Sequence, residues 1–361
     1  MAPFYEKKKK YNDNHSKIII TFIFIFIFLL NTDFSFTQTS GGGYSESYLL
    51  RNLGARSIAM AGAYTAVVNE PNSIFYNPAG LTSLSNRPSF SSMFSFLEFG
   101  RTHSSLSWGQ SVSKNLGVGV GINNFTSGNF TARDIQGNSI GTMQDWQFSI
   151  TGGMAYSLEF VSFGGSVKYL ANSLQSSGTR ADGFSVDLGS KFNVMDMFSF
   201  GLAIQNLSGF MFWNDHNKSK ENNMLPYTIR SGVAMEFNLN GESTSTRSNI
   251  DGELEEVTLP SSRYVLLSFD GIMTQYENSP TFTLGIEVAA HEIIQFRGGI
   301  ALLGDNMGKF ELFPMTIWGG GVSIKPPLKD LPFTTSLEYS ISQDKLSRSK
   351  ISHHFSLVID L

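Results

Sequence analysis

Six charged side chains, Lys168, Asp187, Lys191, Glu287, Arg297 and Glu338, each fall on the serine- and glycine-rich side of an alternating apolar stretch. Ammonium, guanidinium and carboxylate groups in such places can pair with one another, recognise a charged ligand or control a pore. Facing lipid at the bilayer midplane, each would instead cost roughly 2–4 kcal/mol. These six, with Asp360 near the last residue, are therefore expected to line a lumen and to pair there or with a segment inside it. Catalytic patterns are missing. His103, His216, His291, His353 and His354 have no metal-ligand spacing, and His353 and His354, adjacent in a strand, must point to opposite faces. No Gly-x-Ser-x-Gly elbow appears in context, and "GVGVG" at 117–121 reads as strand glycine and not as a phosphate cradle. With no cysteine, disulfides, thiolate metal sites and a thiol nucleophile are excluded. The expectation is a protein that is not an enzyme and uses no cofactor and no metal.

The elements that would hold these charges are strands. In "VSFGGSVKYL", Val161, Phe163, Val167 and Tyr169 alternate with Ser162, Gly164, Ser166 and Lys168, and "GFSVDLGSKF" and "FTTSLEYSI" repeat the split. Runs of this type occur at 89–97, 102–113, 116–125, 145–157, 161–172, 183–193, 198–206, 226–238, 263–274, 281–290, 293–302, 315–324, 333–342 and 351–361. That is about fourteen strands of about ten residues, the even number and the length of an antiparallel transmembrane barrel. Short turns should then alternate with longer outer connections such as 126–144, 173–182 and 207–225. The acidic stretch 239–262 breaks this alternation, so either a strand is miscounted there or it forms a periplasmic contact segment. The final run alternates Phe355, Leu357, Ile359 and Leu361 to the last residue, as a lipid-facing closing strand would.

Composition agrees. Only 16% of the residues are charged, against roughly 25% in soluble domains, so much of the surface is expected to face something other than water. A net charge of -4 carries no basic stripe and argues against a nucleic-acid partner. At the N-terminus, "KKKK" precedes an apolar run at 18–30, too short for the roughly 20 residues of a spanning helix; it reads as a cleaved secretory signal peptide. The expected organisation is signal peptide at 1–39, a hatch or plug at 40–87 and the barrel at 88–361, in the outer membrane of a Gram-negative bacterium.

The segment before the first strand alternates poorly. Its small residues at 55–68 permit close packing, and in "NEPNSIFYNPAGL" Tyr76 precedes an Asn77-Pro78 pair and Gly80, which read as a fixed turn. A fourteen-stranded barrel is wider than the roughly eight-stranded size that side chains alone can fill, so a plug is needed if water is not to pass. The run "LGARSIAMAGAYTAVVNEPNSIFYNPAGL" resembles the N-terminal signature of the PorV/PorQ family of outer-membrane proteins, which is related to FadL-type hydrophobic-compound transporters. Arg56, Met60, Gly62, Ala63, Asn77, Pro78, Ala79, Gly80 and Leu81 match, with Ala61 in place of a frequent glycine. The resemblance continues to about residue 210. It implies an all-β, FadL-like barrel of fourteen strands with an N-terminal hatch inside, acting either in type IX protein secretion or cell-surface attachment of secreted proteins, or in transport of long-chain fatty acids or other hydrophobic molecules. The partners implied are outer-membrane lipid, and then secreted cargo and type IX components in the first case or a hydrophobic small molecule in the second. Arg56 is expected to anchor the hatch to the wall, with ligand binding as the alternative. Phe210, Phe212 and Trp213 are expected to form an aromatic girdle or outer-loop contact, with a ligand groove as the alternative.

Overall fold

A computed structural model describes residues 46–361 apart from 176–177, 195–196, 215–220, 241–242, 249–253, 260–262, 278, 304–314, 328–332 and 344–349. The expected signal peptide lies outside the described residues. The strands are β1 (Ser89–Phe96), β2 (Thr102–Ser111), β3 (Leu116–Arg133), β4 (Ser139–Leu158), β5 (Val161–Gln175), β6 (Thr179–Val194), β7 (Phe198–Asn214), β8 (Glu221–Met224), β9 (Thr228–Asn238), β10 (Ser243–Ser248), β11 (Leu254–Leu259), β12 (Tyr264–Thr274), β13 (Thr281–Ala289), β14 (Ile294–Leu303), β15 (Met315–Ile324), β16 (Thr334–Gln343) and β17 (Ile351–Asp360). β1 to β7, β9 and β12 to β17 pair antiparallel in chain order, and β1 pairs with β17 from Ser89↔Asp360 to Phe96↔His353, closing a barrel of fourteen strands. Closure leaves no free edge, which is what allows a sheet to cross a membrane.

The two-sided pattern holds around the wall. Phe163, Val167, Phe184, Leu188, Leu337 and Phe355 are exposed on the outside, while their neighbours Ser162, Ser166, Ser185, Asp187, Ser336 and Ser356 are buried within. The outer face is the one lipid must solvate. Leu284, in the middle of β13 and 50% exposed, tests this: Leu284→Arg is expected to destabilise the folded barrel by about 2–4 kcal/mol in denaturant titrations in vesicles. Thr283→Arg, on the buried side, is no control for charge, but Leu284→Phe is a control for size and should be close to neutral.

Two expectations need revising. The stretches 126–144 and 173–182 are not loops for most of their length, because β3 to β7 run for 15 to 20 residues. A bulge at Ser127 and Gly128 (φ 70°) absorbs the irregularity, Ser127 Oγ accepts the Asp145 N–H at 2.9 Å, and pairing resumes at Asn129↔Gln144. The barrel thus rises well above its other strands on this side. Among its described residues the acidic stretch 239–262 adds no strand to the barrel: β10 and β11 form a separate two-stranded sheet, Ser243↔Leu259 to Ser248↔Leu254. It follows β9 at the end of the barrel where β1 starts and β17 finishes, the near end.

Ahead of β1 the chain folds into short elements inside the lumen. A 3-10 turn at Ser47–Leu50 leads to a helical turn, α1 (Ala55–Ala59), and then to 3-10 turns at Pro71–Phe75 and Pro78–Ser83. Each of the last two begins with proline, whose locked φ suits a helical first position and whose missing N–H leaves no donor to satisfy there. Asn77 caps the second: its Oδ1 accepts the Ala79 N–H at 3.2 Å, and its Nδ2 donates to the carbonyls of Thr65 at 3.0 Å and Ser190 at 2.9 Å. The side chain therefore shapes the turn and ties it to β6 together.

Candidate functional site

The hatch occupies the near half of the lumen and touches the wall backbone directly. Where it does so, the wall residue is glycine. A Cβ at Gly117 would meet the Leu81 carbonyl, at Gly164 the Pro78–Ala79 peptide, at Gly201 the Thr65 carbonyl, at Gly299 the Met60 carbonyl and at Gly319 the Ile58 carbonyl. These glycines lie on β3, β5, β7, β14 and β15, so contact runs around much of the circumference. Glycine is required because the hatch backbone fills the space a side chain would take.

Polar anchoring is uneven around this ring. On the β9 to β14 side it is ionic. Arg56 forms a fork on Glu287, Nε to Oε2 at 2.7 Å and Nη2 to Oε1 at 2.9 Å, and its Nη1 reaches Asn69 and Glu70, both at 2.7 Å. Glu287 also accepts from Arg297 Nε at 2.6 Å and from the Tyr264 hydroxyl at 2.5 Å, and Arg297 Nη1 reaches Glu338 at 2.7 Å. Asp270 accepts the backbone N–H groups of Tyr64 and Thr65 at 3.0 and 2.8 Å, and Arg230 donates to the Gly62 carbonyl at 2.8 Å. On β6 and β7 the bonds are to neutral groups: Lys191 donates to the Val68 carbonyl and Ser83 Oγ, both at 3.1 Å, and Gln205 to the carbonyls of Phe75 and Tyr76 at 2.7 and 3.0 Å. Toward β3 and β4 the contact is apolar, with Ile74, Leu81 and Leu84 packed together with Ala155.

Tyr76 links the hatch to the segment that precedes it. Its hydroxyl accepts the Leu53 N–H at 2.6 Å, donates to the Leu53 carbonyl at 3.0 Å and meets Ser57 Oγ at 2.6 Å. Burial pushes this phenol up to about 12, so it keeps its proton as a donor. Gly80, the last glycine of the sequence motif, lies against Val68 and Ser73, where a Cβ would clash with both side chains.

Above the hatch the chain from Glu46 to Leu53 lies along the lumen toward the far end. Leu49 packs on an apolar patch of Leu170, Met211, Trp213 and Leu225, with Ala181 behind. Beside this patch the strand pairing is irregular. Asn206 and Ser208 adopt positive φ (56° and 55°), β7 changes partner from β9 (through Gln205) to β8 (from Phe210), and the β6–β7 register shifts near Val186. The Asn206 N–H donates to the side chain of Asp187 on neighbouring β6, Oδ1 at 2.8 Å, instead of to a backbone carbonyl. Asp187 also holds Lys168 at 2.8 Å. Between the segment and the hatch lies a narrow cleft, bordered by Leu50, Leu53, Phe75 and Tyr76 on one side and by Thr151 and Lys168 on the other.

The six charges named from the sequence are all buried in the lumen, but not as one cluster. Glu287, Arg297 and Glu338 join Arg56, Lys168 and Asp187 form a separate pair, and Lys191 serves the hatch carbonyl. Arg230, Tyr264 and Asp270, which sequence reasoning missed, belong to the same anchoring; Arg230 shares its face of β9 with Thr228 and Gly232, and Asp270 shares its face of β12 with Ser268, which was the available signal. Phe210 and Phe212 point outward, 38% and 41% exposed with rings 4.9 Å apart, whereas Trp213 points inward. A single groove formed by all three is therefore ruled out by strand parity.

No family model matches the chain, and no curated protein matches it. Solved structures do. The Ralstonia pickettii toluene transporter TbuX superposes with a TM-score of 0.50 at 16% identity, covering 87% of this chain and 98% of its own. The Pseudomonas putida toluene transporter TodX gives 0.51 at 11% identity, covering 86% and 97%. A Pseudomonas aeruginosa FadL homologue gives 0.53 at 9% identity, covering 86% and 98%. At such identities the likeness establishes fold. The class is thereby defined: a fourteen-stranded transmembrane barrel with the architecture of FadL-type channels for hydrophobic compounds.

Proposed function

We propose that the chain is a non-enzymatic outer-membrane channel that takes up hydrophobic small molecules, with its near end in the periplasm. The observation that carries this reading is the inward-facing apolar patch of Leu170, Met211, Trp213 and Leu225 in the far half of the lumen, covered by Leu49 of the segment above the hatch. A lumen built only to hold water, or a surface built to dock secreted proteins, has no need of a buried apolar wall facing inward. The irregular pairing of β7 beside that patch offers an apolar molecule a place to pass between lumen and membrane. The resemblance of the fold to toluene transporters supports the same reading, whereas the role in type IX secretion or surface attachment implied by the PorV/PorQ motif has no comparable support among the structural neighbours.

The test is entry of labelled toluene into Gram-negative cells that express the chain in their outer membrane. We expect the initial rate to exceed that of cells with an empty vector. Equal rates, with heat-modifiable barrel present in the outer-membrane fraction, overturn the reading. Loss of surface delivery of secreted proteins on deletion of the gene would instead support the secretion role.

A further inference from the structure

Resting on the orientation given in that reading, we propose that the far rim beside β1 and β17 binds the phosphorylated headgroup of an outer-leaflet glycolipid, with its acyl chains on the aromatic wall below. The wall there is a continuous run of rings. On the outer face Phe94 meets Phe96 at 4.9 Å between centroids, Phe96 meets Phe355 at 6.3 Å, and Phe355 meets Tyr339 at 5.1 Å. Rings in such a belt sit where acyl chains give way to headgroups. Above them the connection from β1 to β2 makes a 3-10 turn, Glu98–Gly100, that carries Phe99. Phe99 is 69% exposed and holds a left-handed backbone (φ 59°). A bulky aromatic rarely adopts that conformation and keeps it only where its surroundings fix it. Here they do: the Leu97 N–H donates to the Arg101 carbonyl at 3.0 Å, Arg101 Nε donates to the Glu98 carbonyl at 2.9 Å, and the carbonyls of Phe99 and Gly100 lie against Gly128 in the bulge of β3. The turn is built to hold an aromatic ring out in the open.

Charge selects the headgroup. The Phe99 ring has two cations beside it, Arg101 at 5.8 Å and Lys350 at 5.7 Å; among the described residues the other rings with a cation, Phe125, Tyr64 and Tyr76, belong to the lumen and the hatch. Lys350 is exposed. From β16 through β17 and β1 to β2, the acidic residues of the strands are Glu338, buried in the lumen, and Asp360, at the near end, and Glu98 of the turn is buried. An anion at this height therefore meets cations and no outward carboxylate. Phosphate answers the cations, and a sugar ring can lie against the exposed Phe99, which together favour a phosphorylated glycolipid over a phospholipid.

Titration of the detergent-solubilised full chain with fluorescent diphosphoryl lipid A, and with phosphatidylglycerol carrying the same label, tests this. We expect lipid A to bind at least about tenfold more tightly than phosphatidylglycerol, Lys350→Gln to weaken lipid A about fivefold and Lys350→Arg to keep it. Phe99→Gly removes the ring and suits the left-handed backbone, so it should weaken lipid A about fivefold without lowering the denaturant midpoint, a split that damage to the fold does not produce. Lys114→Gln, in the turn at the near end, should bind as the parent does. Phosphatidylglycerol binding as tightly as lipid A overturns the proposal, as does unchanged binding in Lys350→Gln and Phe99→Gly, or an equal loss in Lys114→Gln. Because the chain has no cysteine, orientation can be read from single Lys350→Cys and Lys114→Cys variants. Only the first should react with a membrane-impermeant maleimide on intact cells, and reaction of the second alone overturns the proposal too. Toluene entry should be unchanged in Phe99→Gly, and its absence in the parent chain overturns the transport reading while leaving this site standing.

Discussion

Arg56→Ala is expected to free the hatch while leaving the barrel closed. Arg56 is the hatch cation that forks onto the wall, and its removal strips Glu287 of two of its bonds and leaves Glu70 without its cation. Removing one partner of a buried ion pair costs roughly 3–5 kcal/mol, because the other charge stays in a low-dielectric site. The wall itself keeps Arg297 and Tyr264 on Glu287, so strand pairing should survive. Outer-membrane vesicles carrying the variant are expected to leak small solutes, and the segment 46–87 should become open to protease, with heat-modifiable gel mobility retained. Arg56→Lys should give an intermediate result, since an ammonium restores the charge but not the planar fork. Unaltered permeability and protease resistance in Arg56→Ala would show that packing against the glycines holds the hatch without this pair.

Gly299→Val is expected to act on the hatch as strongly by a different means. The new Cβ would meet the Met60 carbonyl, a backbone group that cannot turn aside as a side chain can, so the hatch must shift as a body. Overpacking of this kind costs typically about 1–3 kcal/mol where neighbours can relax and more where they cannot. The neighbouring residue is an internal control. Gly298 points to the outer face, where a Cβ would find only Ile286 Cγ2 at 3.8 Å, and Gly298→Val should fold and seal normally. Solute leakage in Gly299→Val and none in Gly298→Val would establish that the inward glycines are there for the hatch. Equal behaviour of the two variants would refute that.

Much of the architecture can be read along the chain. Period-two alternation is a local property, so the strands, their number, and the inward direction of Lys168, Asp187, Lys191, Glu287, Arg297 and Glu338 follow from neighbours two residues apart. The same parity separates Trp213 from Phe210 and Phe212, because an odd number of positions along one strand always changes the face. The Asn77-Pro78 turn is equally local. By contrast, the full length of β3 and β4 is masked in the sequence by the bulge at Gly128, where one extra residue breaks the alternation that marks a strand.

What cannot be read along the chain is who meets whom across the lumen. Arg56 and Glu287 are 231 residues apart, and Thr65 and Asp270 are 205 apart. No spacing rule relates such pairs, because they become neighbours only when β1 closes on β17 and the hatch is enclosed. The glycines are alike in sequence: Gly298 and Gly299 differ by one position, yet one faces outward and the other bears on the backbone of Met60. Alternation states that a residue faces the lumen; only the enclosed hatch decides whether it meets water, a partner charge or another backbone.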